Sequence, residues 1–316
     1  MQLDIKVNED ILQEFASQLD AKINKDSFII PKKLGTGIAK KIIFDGNLEL
    51  LHIQFSLNLP IQTRSENTES SSYYLLNINL SEQSVNKTVN GEDIEIQRDN
   101  SSGMLFYKPG TNVFSISPAG VPFNIVLVKF PKTMLRSYVE KNEDLEHIAE
   151  VISSSQLIYE DLDLDSENHL RKCILPETNL FQKHANLLNF LALFIEKLIK
   201  RDALNSTENI NPDDLKMLFM IAGQLRDPFA SDIATNEELA QKSAMSLTKF
   251  KNTFKQVFGT SPYQYHLQAK MQYAYRTLIQ KSLTISEISY QLGYSHPSKF
   301  TVAFKKQFQM LPSEVK

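Results

Sequence analysis

Thr248, Lys251 and Asn252 interleave with Phe250 and Phe254, two aromatics four residues apart. Wound into a helix, that spacing turns the phenylalanines to one side and gathers the hydroxyl, ammonium and amide on the other. Asn can pair bidentately with adenine and Lys can donate to guanine O6 and N7, so the polar side suits reading base edges rather than making or breaking bonds. Lys249 and Lys255 flank it and suit phosphate oxygens, which position a protein on a duplex without specifying sequence. Residues equipped for covalent chemistry are sparse. His52 is the one histidine within the predicted strands, and a lone strand histidine is more often hydrogen-bonded than metal-bound. A single cysteine, Cys173, precludes an internal disulfide and a multi-thiolate zinc site and suits a reducing cytoplasm. No G-x-S-x-G, P-loop or G-x-G-x-x-G motif is present, and no Ser/His/Asp set can be placed by spacing. The expectation is a protein without catalytic residues, cofactor or metal.

The elements that would hold the polar side chains are written twice. Thr235-Asn-Glu-Glu238 and Thr284-Ile-Ser-Glu287, 49 residues apart, both read as capping boxes, the hydroxyl accepting from a first-turn amide while the Glu reaches back. Each leads into a short apolar segment, a break, a capping serine (Ser246, Ser295) and three phenylalanines at helical spacing: Phe250, Phe254 and Phe258, then Phe300, Phe304 and Phe308. Pro262 and Pro312 close the copies. Short helix, tight turn and longer helix with an inward aromatic stripe form the pattern of a helix-turn-helix, whose second helix enters the major groove. The first unit is predicted over about 235–258 and the second over about 284–308. Between them a linker helix over about 262–280 shows an apolar face through Leu267, Met271, Ala274 and Leu278. At about 1.5 Å per residue it spans about 28 Å, near the roughly 34 Å of one duplex turn, so two recognition helices could address successive major grooves.

Several ordered stretches carry a resemblance: Glu238-Leu-Ala240, Phe258-Gly-Thr-Ser-Pro-Tyr-Gln-Tyr265, Ile285-Ser-Glu-Ile288, Leu292-Gly-Tyr-Ser295, Pro297-Ser298 and Ala303-Phe-Lys-Lys306. With these, 213–316 resembles the DNA-binding domain of the AraC/XylS family of bacterial regulators. The resemblance implies sequence-specific binding of double-stranded DNA, usually as an activator acting with RNA polymerase. It supports Thr248, Lys251 and Asn252 as base readers and adds Pro297 and Ser298 at the head of the second recognition helix. Lys249, Lys255, Lys299, Thr301, Lys305 and Lys306 are the expected backbone contacts. Val302 stands where relatives usually carry Arg, and Lys270 replaces a usual Arg on the linker helix. The first unit is therefore expected to supply most of the discrimination and the second mostly affinity.

In the first part of the chain, Leu51, Ile53, Phe55, Leu57, Leu59 and Ile61 alternate with polar residues, the period of a half-buried strand. Asn90-Gly91 reads as a two-residue hairpin loop, and Lys108-Pro-Gly-Thr111 and Ser117-Pro-Ala-Gly120 punctuate later strands. About eight short strands over about 35–130 imply a β-barrel or sandwich, which the resemblance makes a cupin-like effector-binding domain for an unidentified small molecule. Helical patterns follow at Lys132–Val139, Leu145–Ile152 and Phe181–Lys200. The last is apolar on more than one side, and Leu187, Leu191, Phe194 and Leu198 are the expected contacts of a homodimer.

A chain of 316 residues with 42% apolar and 22% charged side chains accommodates two soluble domains. The reading is an α+β protein: 1–205 for effector binding and dimerisation, 206–212 as a linker, and 213–316 as an all-α DNA-binding domain. Charge divides the same way. From Asn236 to Lys316 eleven Lys and Arg face four acids, a net +7, while the remainder carries −10; such asymmetry joins a polyanion-binding surface to an acidic body. The longest apolar stretch, Leu187–Ile195, is too short to cross a bilayer and no signal peptide is read, so a cytoplasmic location is expected. Three alternatives stand beside this reading. A cupin-type enzyme with a helical accessory domain lacks a ligand cluster, and an alkyl-transfer repair protein would need more cysteines. A protein-interaction module, whose duplicated helices would bind protein, is separated from a regulator by whether affinity for duplex DNA falls steeply with added salt.

Overall fold

A computed structural model describes residues 1–316 except 82–84, 90–91, 97–102, 140–143, 156–157, 202–209, 231–233 and 316. The chain divides into two compact units, Met1–Lys216 and Met217–Lys316. The predicted linker at 206–212 falls mostly on residues outside the described set, and a helix already begins at its last residue, Pro212.

Among the described residues of the first unit, twelve strands form two sheets. The five-stranded sheet contains, in spatial order, β1 (Gln2–Lys6), β5 (Ile61–Asn67), β10 (Thr111–Ser117), β7 (Val85–Val89) and β8 (Glu92–Ile96). The seven-stranded sheet runs β12 (Ile158–Asp161), β9 (Gly103–Tyr107), β6 (Tyr73–Asn79), β11 (Pro122–Pro131), β4 (Leu48–Leu57), β3 (Gly35–Phe44) and β2 (Ser27–Ile29). Pairing is antiparallel throughout except where β1 lies parallel to β5. The predicted hairpin loop Asn90-Gly91 lies outside the described residues; the strands it would join pair with Val89 opposite Glu92.

The alternation over 51–61 divides into two strands. β4 ends at Leu57, the chain turns through 58–60, and β5 opens at Ile61 in the other sheet. Pro60 lacks the amide that a continuous ladder would need, so period-two patterning persisted across a break that hydrogen bonding could not cross.

Helices α1 (Ile11–Gln18), α2 (Lys132–Val139), α3 (Asp144–Ser154), α4 (Leu164–Ile174) and α5 (Leu180–Ile199) complete the unit. One face of the larger sheet packs on this helical layer through Leu48, Leu50, Leu76, Ile78, Val126 and Val128. The same core contains Leu187, Leu191, Phe194 and Leu198, each 3% exposed or less. These four cannot form a dimer surface, because the unit's own sheet and helices already cover them. The apolar residues α5 does turn outward are Leu180 and Phe181 in its first turn, 58% and 89% exposed.

Charged groups anchor the far end of α5. Lys197 donates to the Asp163 carboxylate at 2.7 Å and to the Asp161 carbonyl at 2.8 Å. Burial acts to raise the Asp163 pKa, but the Lys197 charge and the Ser166 amide outweigh it and hold the carboxyl below its ordinary range. Arg201, 4% exposed, donates to Glu160 at 2.6 and 2.7 Å and to the Tyr159 carbonyl at 2.6 Å.

His52 hydrogen-bonds Asn124 at 2.8 Å between β4 and β11. No group of three or more potential metal ligands occurs among the described residues, and no described helix is long and apolar enough to cross a membrane. A cleft of about 610 Å³ opens between the turn before β6 and helices α2 and α3. Lys132 and Arg136 line it with Ser70, Ser72, Thr133, Ile148 and Ile152.

Candidate nucleic-acid interface

The second unit contains most of α6 (Pro212–Leu225), then α7 (Asn236–Lys242), α8 (Leu247–Phe258), α9 (Pro262–Gln280), α10 (Ile285–Gln291) and α11 (Pro297–Phe308). Its internal repeat is geometric as well as sequential. In both capping boxes the threonine amide donates to the glutamate at 2.7 Å, and the glutamate amide donates to the threonine hydroxyl at 3.2 Å. Both short helices stop on a left-handed residue, Ala244 (φ 54°) and Gly293 (φ 82°). The following amides, of Met245 and Tyr294, reach back to Ala240 and Ser289 at 3.0 Å. That 6→1 bond satisfies carbonyls a helix end would otherwise strand.

The copies diverge in the next few residues. Ser246 caps α8, its hydroxyl accepting from Lys249 N at 3.3 Å. Ser295 does not cap α11: the helix starts one residue later, with His296 in the cap position and Pro297 as its first residue. Proline's fixed φ and missing amide suit that first position and set the start in place of the serine. The turn is thus one residue longer, and the two recognition helices, twelve residues each, correspond at an offset of 50.

Their aromatic stripes superpose in kind. Phe250–Phe254 and Phe300–Phe304 have ring centroids 5.7 Å apart at 54° in both copies, and all four rings are fully buried. The opposite face is left to solvent. Thr248, Lys249, Lys251 and Asn252 are exposed on α8, while Lys255 is half-buried. On α11 Ser298, Lys299, Lys305 and Lys306 are exposed and Pro297 is half-buried. Thr301, expected as a backbone contact, is half-buried and donates its hydroxyl to the Pro297 carbonyl at 2.9 Å.

Linker helix α9 supports both copies. Lys270 donates to the Leu292 carbonyl at 3.1 Å, closing the C-terminal end of α10. Sequence had marked Lys270 only as a departure from the usual Arg, since a bond spanning 22 residues leaves no local signal. His266, 2% exposed, donates from Nδ1 to the Leu225 carbonyl at 2.8 Å. Its Nε2 finds no hydrogen-bond partner among the described residues. Burial pushes this imidazole below the ordinary histidine range, against the opposing pull of the Leu225 bond. Above about pH 6.5 the histidine is neutral in folded and unfolded chains alike. As pH falls below that value the unfolded chain takes up a proton that the folded unit resists, and stability is lost until pH passes the depressed folded value. The thermal midpoint of the wild-type chain should fall from pH 7.5 to 5.5 by more than that of His266→Gln; equal falls would dismiss the histidine.

The chain is similar to several known proteins. A family profile described as a helix-turn-helix domain matches residues 239–316. The thermoregulatory protein LcrF of Yersinia pestis is 23% identical over 279 residues, 85% of this chain and 96% of that protein. The virulence regulon transcriptional activator VirF of Yersinia enterocolitica is 22% identical over 281 residues, with the same coverage. The profile places a helix-turn-helix domain in the second unit, and the two Yersinia regulators are similar to the chain over most of its length. Its N-terminal unit is sheet-rich and its C-terminal unit helical. The transcriptional regulator AlkR of Acinetobacter baylyi is 35% identical over 78 residues, 25% of this chain and 26% of AlkR. Among solved structures, ToxT from Vibrio cholerae is similar at 15% identity with a TM-score of 0.36, covering 84% of this chain and 97% of that one.

Proposed function

We propose that this chain is a regulator of the AraC family, a cytoplasmic transcription activator whose α8 reads base edges through Thr248, Lys251 and Asn252. The observation that carries the reading is the exposed polar row on α8, back to back with a fully buried aromatic stripe in a duplicated helix-turn-helix. Pro297 and Ser298 would contact bases from α11, and Lys249, Lys299, Lys305 and Lys306 would hold phosphates, with half-buried Lys255 a lesser contributor. The test is binding of the full chain to a duplex selected from a random-sequence pool, compared with an unrelated duplex. Lys251→Ala or Asn252→Ala should weaken the selected duplex by about 1–3 kcal/mol and leave unrelated DNA almost unaffected. Lys306→Ala should weaken both and lower the salt slope by about one. Uniform losses from all three variants would refute base reading by α8.

Activation is proposed from relatives such as VirF, a transcriptional activator, with RNA polymerase as the partner an activator must engage. No enzymatic activity is proposed. For the first unit we propose a small-molecule effector, and the cleft beside α2 offers a place for it. Lys132 and Arg136, beside the hydroxyls of Ser70, Ser72 and Thr133 and the apolar Ile148 and Ile152, suit a small organic anion. A thermal-shift screen of small carboxylates and phosphate esters, repeated on Arg136→Ala, tests this; a shift that survives the substitution moves the effector elsewhere. Homodimerisation is supported by outward-facing Leu180 and Phe181; a monomer by light scattering at micromolar concentration would remove it.

A further inference from the structure

We infer that Val302 recognises the C5-methyl group of a thymine in the major groove facing α11. The inference rests on the DNA-binding reading above and adds a base and an atom to it. At the 50-residue offset of the two recognition helices, Val302 occupies the position of Asn252. Ser298 likewise matches Thr248, and Phe300 and Phe304 match Phe250 and Phe254. Val302 therefore stands where the first copy places an exposed base-reading amide.

Its surroundings agree. Val302 is 69% exposed, the most exposed large apolar side chain in the second unit among the described residues. It lies outside the core formed by Met271, Ile288, Phe300 and Phe304 with their neighbours. Exposed Ser298 precedes it by one helical turn, and exposed Lys305 and Lys306 follow it by about one. A core role is thus ruled out by exposure, and a phosphate role by the absence of any donor. Base edges in the major groove present donors, acceptors and one apolar group, the thymine methyl. A β-branched side chain on a helix has essentially one rotamer, so Val302 is held rigidly and loses little freedom when it meets that methyl.

The test uses the full chain and the duplex selected above, with thymines in the second half-site replaced one at a time by deoxyuridine, which removes the methyl and leaves every hydrogen-bonding group. One replacement should weaken wild-type binding about fourfold, the factor corresponding to burial of one methyl-sized group. Val302→Ala, a change at an exposed helical position, should fold normally and bind thymine and deoxyuridine duplexes equally. The inference is overturned if no thymine in that half-site is sensitive, or if Val302→Ala retains the wild-type sensitivity. Failure of the pool to yield any enriched duplex would instead bring down base reading as a whole.

Discussion

Phe300→Ala should cost the DNA-binding unit about 3–5 kcal/mol, the usual range for emptying a fully buried phenylalanine site. The ring is 0% exposed and meets Tyr294 edge-on and Phe304 at a tilt, both with centroids 5.7 Å away. Neighbours on α9 and α10, Met271, Ala274 and Ile288, are held by their own helices and can close the void only partly. Small domains have about 5–15 kcal/mol in hand, so the loss should lower the thermal midpoint by 10 °C or more and remove specific binding with it. Phe250→Ala should do the same to the first copy, because its ring is equally buried and its geometry with Phe254 is the same. Lys299→Ala, next to Phe300 but exposed, serves as the control and should leave the midpoint within a degree or two. A midpoint for Phe300→Ala that matched this control would show that the stripe is not the core.

Arg201→Ala is the counterpart in the first unit. Its guanidinium, 4% exposed, engages Glu160 through two nitrogens while also satisfying the Tyr159 carbonyl on β12. Removing one partner of a buried pair strands the other charge, typically at a cost of 3–5 kcal/mol. The backbone of Arg201 is held separately, its carbonyl and that of Ile199 both lying within hydrogen-bonding distance of His147 Nε2, and the substitution leaves that contact in place. Urea denaturation of the single variant and of Arg201→Met with Glu160→Leu separates the terms. The double variant should recover most of the loss, because the penalty belongs to the uncompensated carboxylate rather than to the missing attraction. If both variants were equally unstable, packing of the arginine stem would be the cause.

The second unit was legible in the sequence because its signals are local. Phenylalanines at i, i+4 and i+8, paired capping boxes and closing prolines each report on neighbours within a few residues. Where two local signals competed, at Ser295 and Pro297, the proline decided the helix start. In the first unit the decisive contacts are distant. β1 pairs with β5 across about sixty residues, and nothing in Gln2–Lys6 alone foretells it. The misassigned residues on α5 show the same limit: an all-round apolar helix is read as seeking a partner chain, yet the sheet and helices of its own unit enclose it. Val302 is a different case: its lack of charge is legible in the sequence, whereas its 69% exposure, on which the proposed methyl contact rests, is a property of the folded helix.

The linker helix sets a limit on how operators and regulator can change together. One residue inserted in α9 would rotate the second recognition helix by about 100° and advance it about 1.5 Å. One base pair inserted between half-sites rotates its target by about 35° and displaces it about 3.4 Å. No small number of residues reproduces one base pair in both rotation and rise. With Lys270 fastening α9 to the end of α10, slack cannot absorb the mismatch, so half-site spacing should stay fixed while the bases within each half-site remain free to vary.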